Sequence, residues 1–337
     1  MNLTQLSDIA RAIVADGKGI LAADESTPTI KKRFDSINVE SNEANRQAYR
    51  SMLFTTSGAG EFISGVILFD ETIRQEASDG RSMVQVLKEA GMIPGIKVDK
   101  GAKPLPNCTD ETVTEGLDGL RERCEEYFGL GARFAKWRAV IRIGEDIPSK
   151  NCIAVNAHAL ARYATLCQET GLVPIVEPEV LMDGSHDIDT CDMVTEATLR
   201  AVFHELYQQG VSLEGTLLKP NMVISGNTCP QQASVDEVAK RTVACLKRAV
   251  PAAIPGIVFL SGGQSDEVAT LHLNTMNREA KDLPWKLSFS YGRALQAAPL
   301  KAWAGTNIEQ AQRAFYERAS ANGAACRGEY TQVVQQQ

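Results

Sequence analysis

A closed barrel of eight parallel strands, each followed by a helix, is the fold the sequence predicts, and three observations carry that prediction. Apolar runs of strand character recur eight times, at intervals of roughly 30 to 45 residues. The stretches between them have helical patterning with start and stop residues. The 337 residues contain no low-complexity linker, and this length is ordinary for one α/β barrel. A doubly wound open sheet would be announced by G-x-G-x-x-G after the first strand, and that motif is absent there. One TIM-barrel domain over 1–337 is therefore expected, with a short polar tail from about 327.

The first four strands are read at "GILAADES" (19–26), "FISGVILF" (62–69), "IPGIKVDK" (93–100) and "FAKWRAVI" (134–141). The last four are "LVPIVEPEV" (172–180), "GTLLKPNM" (215–222), "GIVFLSGG" (256–263) and "WKLSFSYG" (285–292). Helical segments lie between them at 118–131 and at 156–171, the second stopped by a glycine. Further helices are read at 195–210 and at 234–250, where Ser234 is the N-cap. Strands that alternate with helices form parallel βαβ units.

Composition narrows the function. A net charge of -7 argues against nucleic acid or an anionic membrane as the main partner. No segment approaches the length of a membrane span. The first residues lack an apolar signal core and include Asp8 and Asp16. The eight cysteines form no C-x-x-C pair, so free thiols in a reducing compartment are expected rather than zinc or disulfides. His158, His204 and His272 fall in helical segments and His186 in a loop. None has ligand spacing, and each is expected to be a surface or packed residue. The sequence thus predicts a cytoplasmic protein with no metal and no cofactor.

In such barrels chemistry gathers where the strands end, and here those ends are charged. They carry Asp24, Lys97 and Asp99, Lys136 and Arg138, Glu177 and Glu179, and Lys219. Side chains alternate faces with a period of two, so each of the three pairs shares a face. If that face is the barrel interior, four cations and four carboxylates converge and neutralise one another, which lowers the cost of burying them. A buried ion-pair network closing the barrel mouth is the bland reading of such a set. Five charged strand ends on consistent faces favour an active site. Strands seven and eight end differently. Ser261, Gly262 and Gly263 offer backbone N–H groups, and Ser290, Gly292 and Arg293 follow. This is the usual place of a phosphate cradle in this fold, with the arginine as a bidentate anion ligand.

A lysine beside a proline in "LEGTLLKPNM" (213–222) then finds a purpose. Burial and a neighbouring cation favour the neutral, nucleophilic amine, and Lys136 can supply that cation. Such an amine attacks a ketone to form a Schiff base, an electron sink for cleavage of the adjacent carbon–carbon bond. Glu177, on the strand between the two lysines, could serve as general acid and base. Another Schiff-base lyase, such as a transaldolase, would also use a lysine. A binding or scaffold barrel without turnover is the alternative from a different class.

The motifs "LAADES", "GIKVDKG", "FAKWR", "VEPE", "LEGTLLKPN", "SGGQS" and "SFSYGRALQ" resemble those of the class I fructose-bisphosphate aldolases, in order from about Gly17 to Gly328. The resemblance implies reversible cleavage of fructose 1,6-bisphosphate to dihydroxyacetone phosphate and glyceraldehyde 3-phosphate, in glycolysis and gluconeogenesis. By it, Lys219 is the Schiff-base lysine and Glu177 the proton acceptor, with Asp24, Lys136, Arg138 and Glu179 around the reacting carbons. Lys97 lies near the second phosphate, and Ser261, Gly262, Gly263, Ser290, Gly292 and Arg293 contact the sugar bisphosphate. Arg33 is a substrate-binding arginine, and Ser26 and Thr29 help to hold the other phosphate. The resemblance also implies a homo-oligomer, a tetramer. In one respect the chain departs from the animal members, whose longer C-terminal arm ends in a tyrosine that assists proton transfer. Here the sequence stops at Gln337 and its last tyrosine is Tyr330. A mobile tail is expected, with enamine protonation left to Glu177 or to water.

Overall fold

In the computed structural model, which describes residues 2–331, the strands in chain order are β1 (Gly19–Ala23), β2 (Ile63–Leu68), β3 (Ile93–Lys97), β4 (Ala102–Pro104) and β5 (Thr112–Thr114). They continue as β6 (Phe134–Ile141), β7 (Val173–Val180), β8 (Leu217–Leu218), β9 (Gly256–Phe259) and β10 (Lys286–Tyr291). Eight of them close a barrel in the order β1-β2-β3-β6-β7-β8-β9-β10, all parallel, with β10 back against β1. β4 and β5 form a small antiparallel hairpin outside it. The sequence reading did not anticipate that hairpin.

Side-chain alternation sorts the apolar residues into two cores. Ile20, Ala22, Ile67, Phe134, Val173, Ile175, Leu217 and Val258 fill the barrel interior. Residues of opposite parity, such as Leu21, Ala135, Trp137, Val176, Leu218 and Phe289, belong to the larger core between strands and helices. Phe134 is the bulkiest inner residue, and β3 makes room for it: a Cβ on Gly95 would lie 2.2 Å from its ring. From below, the helix Leu3–Ile13 inserts Leu6, Ala10 and Ile13, and Val14 follows. Asn2 caps that helix by accepting from the Gln5 N–H.

Helix boundaries follow the caps. Ser234 accepts from the Glu237 N–H and starts Val235–Ala249, as read from the sequence. Gly171, with a φ of 90°, ends Lys150–Thr170. The predicted starts at 156 and 195 were late, because Ser149 and Asp187 cap those helices earlier. Several strands are shorter than predicted. β1 stops at Ala23 and β3 at Lys97, although the Val98 N–H still donates to the Lys136 carbonyl of β6 at 3.1 Å. β8 keeps only two ladder residues, because Pro220 has no N–H to give and the chain continues as a buried extended segment. Helix Ile308–Arg327 ends at Gly328, and the Tyr330 N–H donates to Asn274 Oδ1 at 2.9 Å. That anchor lies towards the N-terminal ends of the strands, where Cys326 meets the Lys18 carbonyl. The expected tail from about 327 is therefore docked as far as Tyr330, and its portion 332–337 lies outside the described residues. Among the described residues no helix is long and apolar enough to cross a membrane.

Candidate active site

At the opposite, C-terminal end of the barrel lies a cavity of about 640 Å³. Every expected site residue except Gly263 lines it. The cause is the same parity that builds the inner core. Ala22, Gly95, Phe134, Ile175 and Leu217 point inward, so the residues two positions on, Asp24, Lys97, Lys136, Glu177 and Lys219, point inward one layer higher. Register aligns them: Arg138 sits opposite Glu177, and Lys97 opposite Lys136.

Lys219 lies just past the end of β8, its backbone N–H bonded to the Val176 carbonyl at 2.8 Å. The strand has ended, yet the side chain is buried, only 4% exposed. Its Nζ is 3.1 Å from Glu177 Oε1, while Glu177 Oε2 faces Lys136 Nζ at 3.3 Å. Lys136 in turn meets Asp24 at 2.8 Å and Asp99 at 3.8 Å. One carboxylate thus bridges two lysines, and one lysine sits among three carboxylates. Burial by itself raises the Asp24 carboxyl, but Lys136 and then Lys219 outweigh it and hold the group well below its usual range. Glu177 follows the same logic: burial pushes it up, and Lys219, Lys136 and Arg138 bring it below the ordinary value. Lys136 is the mirror case, held above its ordinary value because Asp24, Glu177 and Asp99 overcome the cost of burial. Among the described residues no group of three or more His, Cys, Asp or Glu is placed to hold a metal ion. The cation inside this carboxylate cluster is Lys136. Further out, Arg138 pairs with Glu179, and Lys97 with Asp99 at 3.5 Å.

Two polar ends flank this centre. Ser26 begins the helix Thr27–Asp35 without capping it through its side chain, and its hydroxyl meets that of Thr29 at 3.1 Å. Opposite are Ser261, Gly262, Ser290, Gly292 and Arg293, the last at the start of the helix Arg293–Trp303. Gly262 and Gly263 have φ of 59° and 92°, values that favour glycine. The Ser290 hydroxyl is buried and meets no protein partner, as a group waiting for a ligand would be. Gly263 lies beside the cavity rather than on its wall, close to Met182 and Arg293.

The sequence reading missed Glu25, Lys32 and Ser36, which also line the cavity. Glu25 is the most consequential. It pairs with Arg33, accepts from Gln296 Nε2 at 2.7 Å, and lies 4.0 Å from the fully buried Arg50. Alternation placed it on the face away from Asp24, but β1 ends at Ala23 and the period of two ends with it. The histidines behave as expected: His158 pairs at the surface with Glu205, and His272 is packed.

A buried lysine held by a bridging carboxylate, between two polar ends of a parallel barrel, agrees with what comparison finds. The family model of class-I fructose-bisphosphate aldolase matches residues 5–337. The chain belongs to the class I fructose-bisphosphate aldolase family. It is 62% identical over 333 residues to the probable class 1 fructose-bisphosphate aldolase of Xanthomonas axonopodis pv. citri, covering 98% of this chain and 99% of that one. It is 57% identical to the cytosolic fructose-bisphosphate aldolase 4 of Arabidopsis thaliana, over 95% and 82% of the two chains. The co-crystal structure of the Plasmodium falciparum aldolase with TRAP and a small-molecule inhibitor matches with a TM-score of 0.97 at 50% identity, over 98% and 96%. Aldolases of this class act on a sugar phosphate, and a cavity with one central amine and polar groups at both ends suits such a molecule.

Proposed function

We propose that Lys219 is the residue through which this aldolase performs its family's reaction, the reversible cleavage of fructose 1,6-bisphosphate by way of a Schiff base. The observation that carries this assignment is the contact of its buried Nζ with Glu177 Oε1 at 3.1 Å. An ammonium must give up a proton before it can attack, and an ionised carboxylate at that distance is the group to take it. The free amine adds to C2, and loss of water leaves an iminium ion. Asp24 or Glu177 accepts the C4 hydroxyl proton as the C3–C4 bond breaks. The electron pair of that bond passes into the iminium to give an enamine, and glyceraldehyde 3-phosphate departs. Protonation at C3 and hydrolysis then return Lys219 and release dihydroxyacetone phosphate. Lys136, held cationic by three carboxylates, supports the negative charge that develops nearby. Arg138, Glu179 and Lys97 orient the sugar. The phosphates are bound at the Ser26–Thr29 turn with Arg33 and, at the other end, by Ser261, Gly262, Ser290, Gly292 and Arg293, with Gly263 shaping the turn.

Borohydride in the presence of dihydroxyacetone phosphate should trap one adduct, mapped to Lys219, and a chelator should leave activity unchanged. An adduct on another lysine, or inactivation by the chelator, would overturn the assignment. We further infer a cytoplasmic homo-oligomer, a tetramer by resemblance. The location is supported by the cytosolic Arabidopsis relative. The association is supported by Met193 and Tyr207, 66% and 79% exposed near one line of the helix Ile188–Gln208. Sedimentation at equilibrium tests it.

A further inference from the structure

We propose that His272, outside the cavity wall, is a positioning residue: through Gln264 it holds the Ser261–Gly262 peptide so that the Gly262 N–H faces the substrate's phosphate. The proposal rests on the assignment of that turn to phosphate binding. Its basis is a chain of contacts whose donors and acceptors can each be in only one state. The Ser261 carbonyl can only accept, and it accepts twice, from the Gln264 backbone N–H at 3.0 Å and from Gln264 Nε2 at 2.9 Å. The other Nε2 proton faces Met222 Sδ at 3.7 Å, a second acceptor. With its amide nitrogen engaged by these two groups, Gln264 presents Oε1 to His272 Nδ1 at 2.6 Å. An oxygen there requires a proton on Nδ1, which fixes the tautomer.

The geometric consequence is at the cavity. In a trans peptide the C=O and N–H point in opposite directions. Pinning the Ser261 oxygen towards Gln264 therefore turns the Gly262 N–H the other way. Among the described residues that N–H meets no acceptor, and Gly262 lines the cavity. The turn needs such a clamp because its two glycines are conformationally free. The histidine is a firm anchor for it. It lies on the helix Asp266–Glu279, which is tied to the helix Ile308–Arg327 by Thr270 Oγ1 to Asn322 Oδ1 at 2.9 Å and by Arg318 to Thr270 at 2.7 Å. Burial holds the imidazole down to about 4, so the ring is neutral at neutral pH.

The test compares His272→Leu, which keeps volume and removes the donor, with His272→Asn, whose amide nitrogen stands near the place of Nδ1. Steady-state cleavage of fructose 1,6-bisphosphate and competitive inhibition by inorganic phosphate are measured beside the unfolding midpoint. The leucine variant should raise KM and the phosphate inhibition constant together by about three- to tenfold, the weight of one neutral hydrogen bond, with kcat within about twofold. The asparagine variant should restore both constants even if the midpoint stays lowered. Gln264→Ala, at a half-buried position, gives the same readout should the leucine variant fold poorly, and the double variant should be no worse than either single one. Unchanged constants in both single variants, or no rescue by asparagine, would overturn the proposal. Arg293→Ala serves as the control for the underlying assignment, with an expected rise in KM of about ten- to a hundredfold. If that variant is also silent, the phosphate is bound elsewhere and the proposal falls with the assignment. If it responds while His272→Leu and Gln264→Ala do not, only the clamp is wrong.

Discussion

The two halves of the barrel interior are built from the same strands and face the same axis, yet they are held together in opposite ways. The lower half is a dry plug of Ile20, Ile67, Phe134, Val173, Ile175, Leu217 and Val258, sealed by the helix Leu3–Ile13. Its stability comes from burial and close packing, which ask nothing of pH. One layer higher the same faces carry Asp24, Lys136, Glu177 and Lys219, joined in that order by contacts of 2.8, 3.3 and 3.1 Å. Each of these charges would be costly to bury alone, and the set persists because each has a partner of opposite sign. The lower half can therefore tolerate a lost methyl, whereas the upper half can lose a charge only where the groups it leaves keep another partner, as Glu177 keeps Lys136 when Lys219 is removed. The upper half is also where a reactive amine can be kept out of water. With Lys219 as the proposed nucleophile, the barrel confines reactivity to one layer.

Four changes separate the halves, from the largest expected effect to the smallest. Lys219→Met removes the proposed nucleophile and should reduce cleavage on the order of ten-thousandfold. Borohydride-dependent labelling should vanish while the circular dichroism spectrum is retained, because Glu177 keeps Lys136. Residual turnover above a thousandth of the parent would argue for a second amine.

Lys136→Met strikes the upper half harder in stability. It leaves Asp24, Glu177 and Asp99 without their shared cation, and removing one partner of a buried set costs about 3–5 kcal/mol. Urea denaturation at neutral pH reads this directly, and a loss below about 1 kcal/mol would mean the cluster is more solvated than its burial suggests.

Acid should narrow that gap. Asp24 and Glu177 are depressed below their ordinary values of 3.8 and 4.5. Their ion pairs therefore stabilise the fold above those values and are lost as pH falls through the lower folded ones. The parent should lose stability on acidification and Lys136→Met should lose less, so the two denaturation midpoints draw together as pH falls below 3.8. Ile175→Val, in the lower half, should instead cost about 0.5–1.5 kcal/mol, by the same amount at pH 7 and pH 4. A pH-dependent cost at Ile175 would break the division between the halves.

Tyr330→Phe should change the least. Its backbone is fixed to Asn274 and it is not among the residues lining the cavity, so kcat should stay within about twofold of the parent, a difference of about 0.4 kcal/mol. Loss of exchange of the dihydroxyacetone phosphate C3 proton in this variant would mean that Tyr330 reaches the cavity after all.

Much of this division could be read before any coordinates. Because parallel strands alternate with a strict period of two, Phe134 and Lys136, Ile175 and Glu177, and Leu217 and Lys219 had to share faces. Periodicity and caps supplied eight βα units, and Ser234 and Gly171 marked helix ends. The order of the charged strand ends then pointed to an amine between carboxylates. Sequence patterning could determine these features because they follow from local geometry.

Where a strand stops is not local. β1 ends at Ala23, and with it ended the alternation that would have kept Glu25 out of the site. The hairpin of β4 and β5 was hidden in three-residue strands too short to show a period. Which carboxylate reaches which lysine depends on register between β6, β7 and β8, which places Glu177 between two amines. The contact from His272 to Gln264 joins the helix Asp266–Glu279 to the turn before it, and Gln264 lies outside the helix, where its periodicity does not apply. Alternation and composition thus settled that a charged layer would exist and which residues would form it. Only the closure of the barrel decided how those charges pair, because pairing depends on the shear and register of strands far apart in the chain.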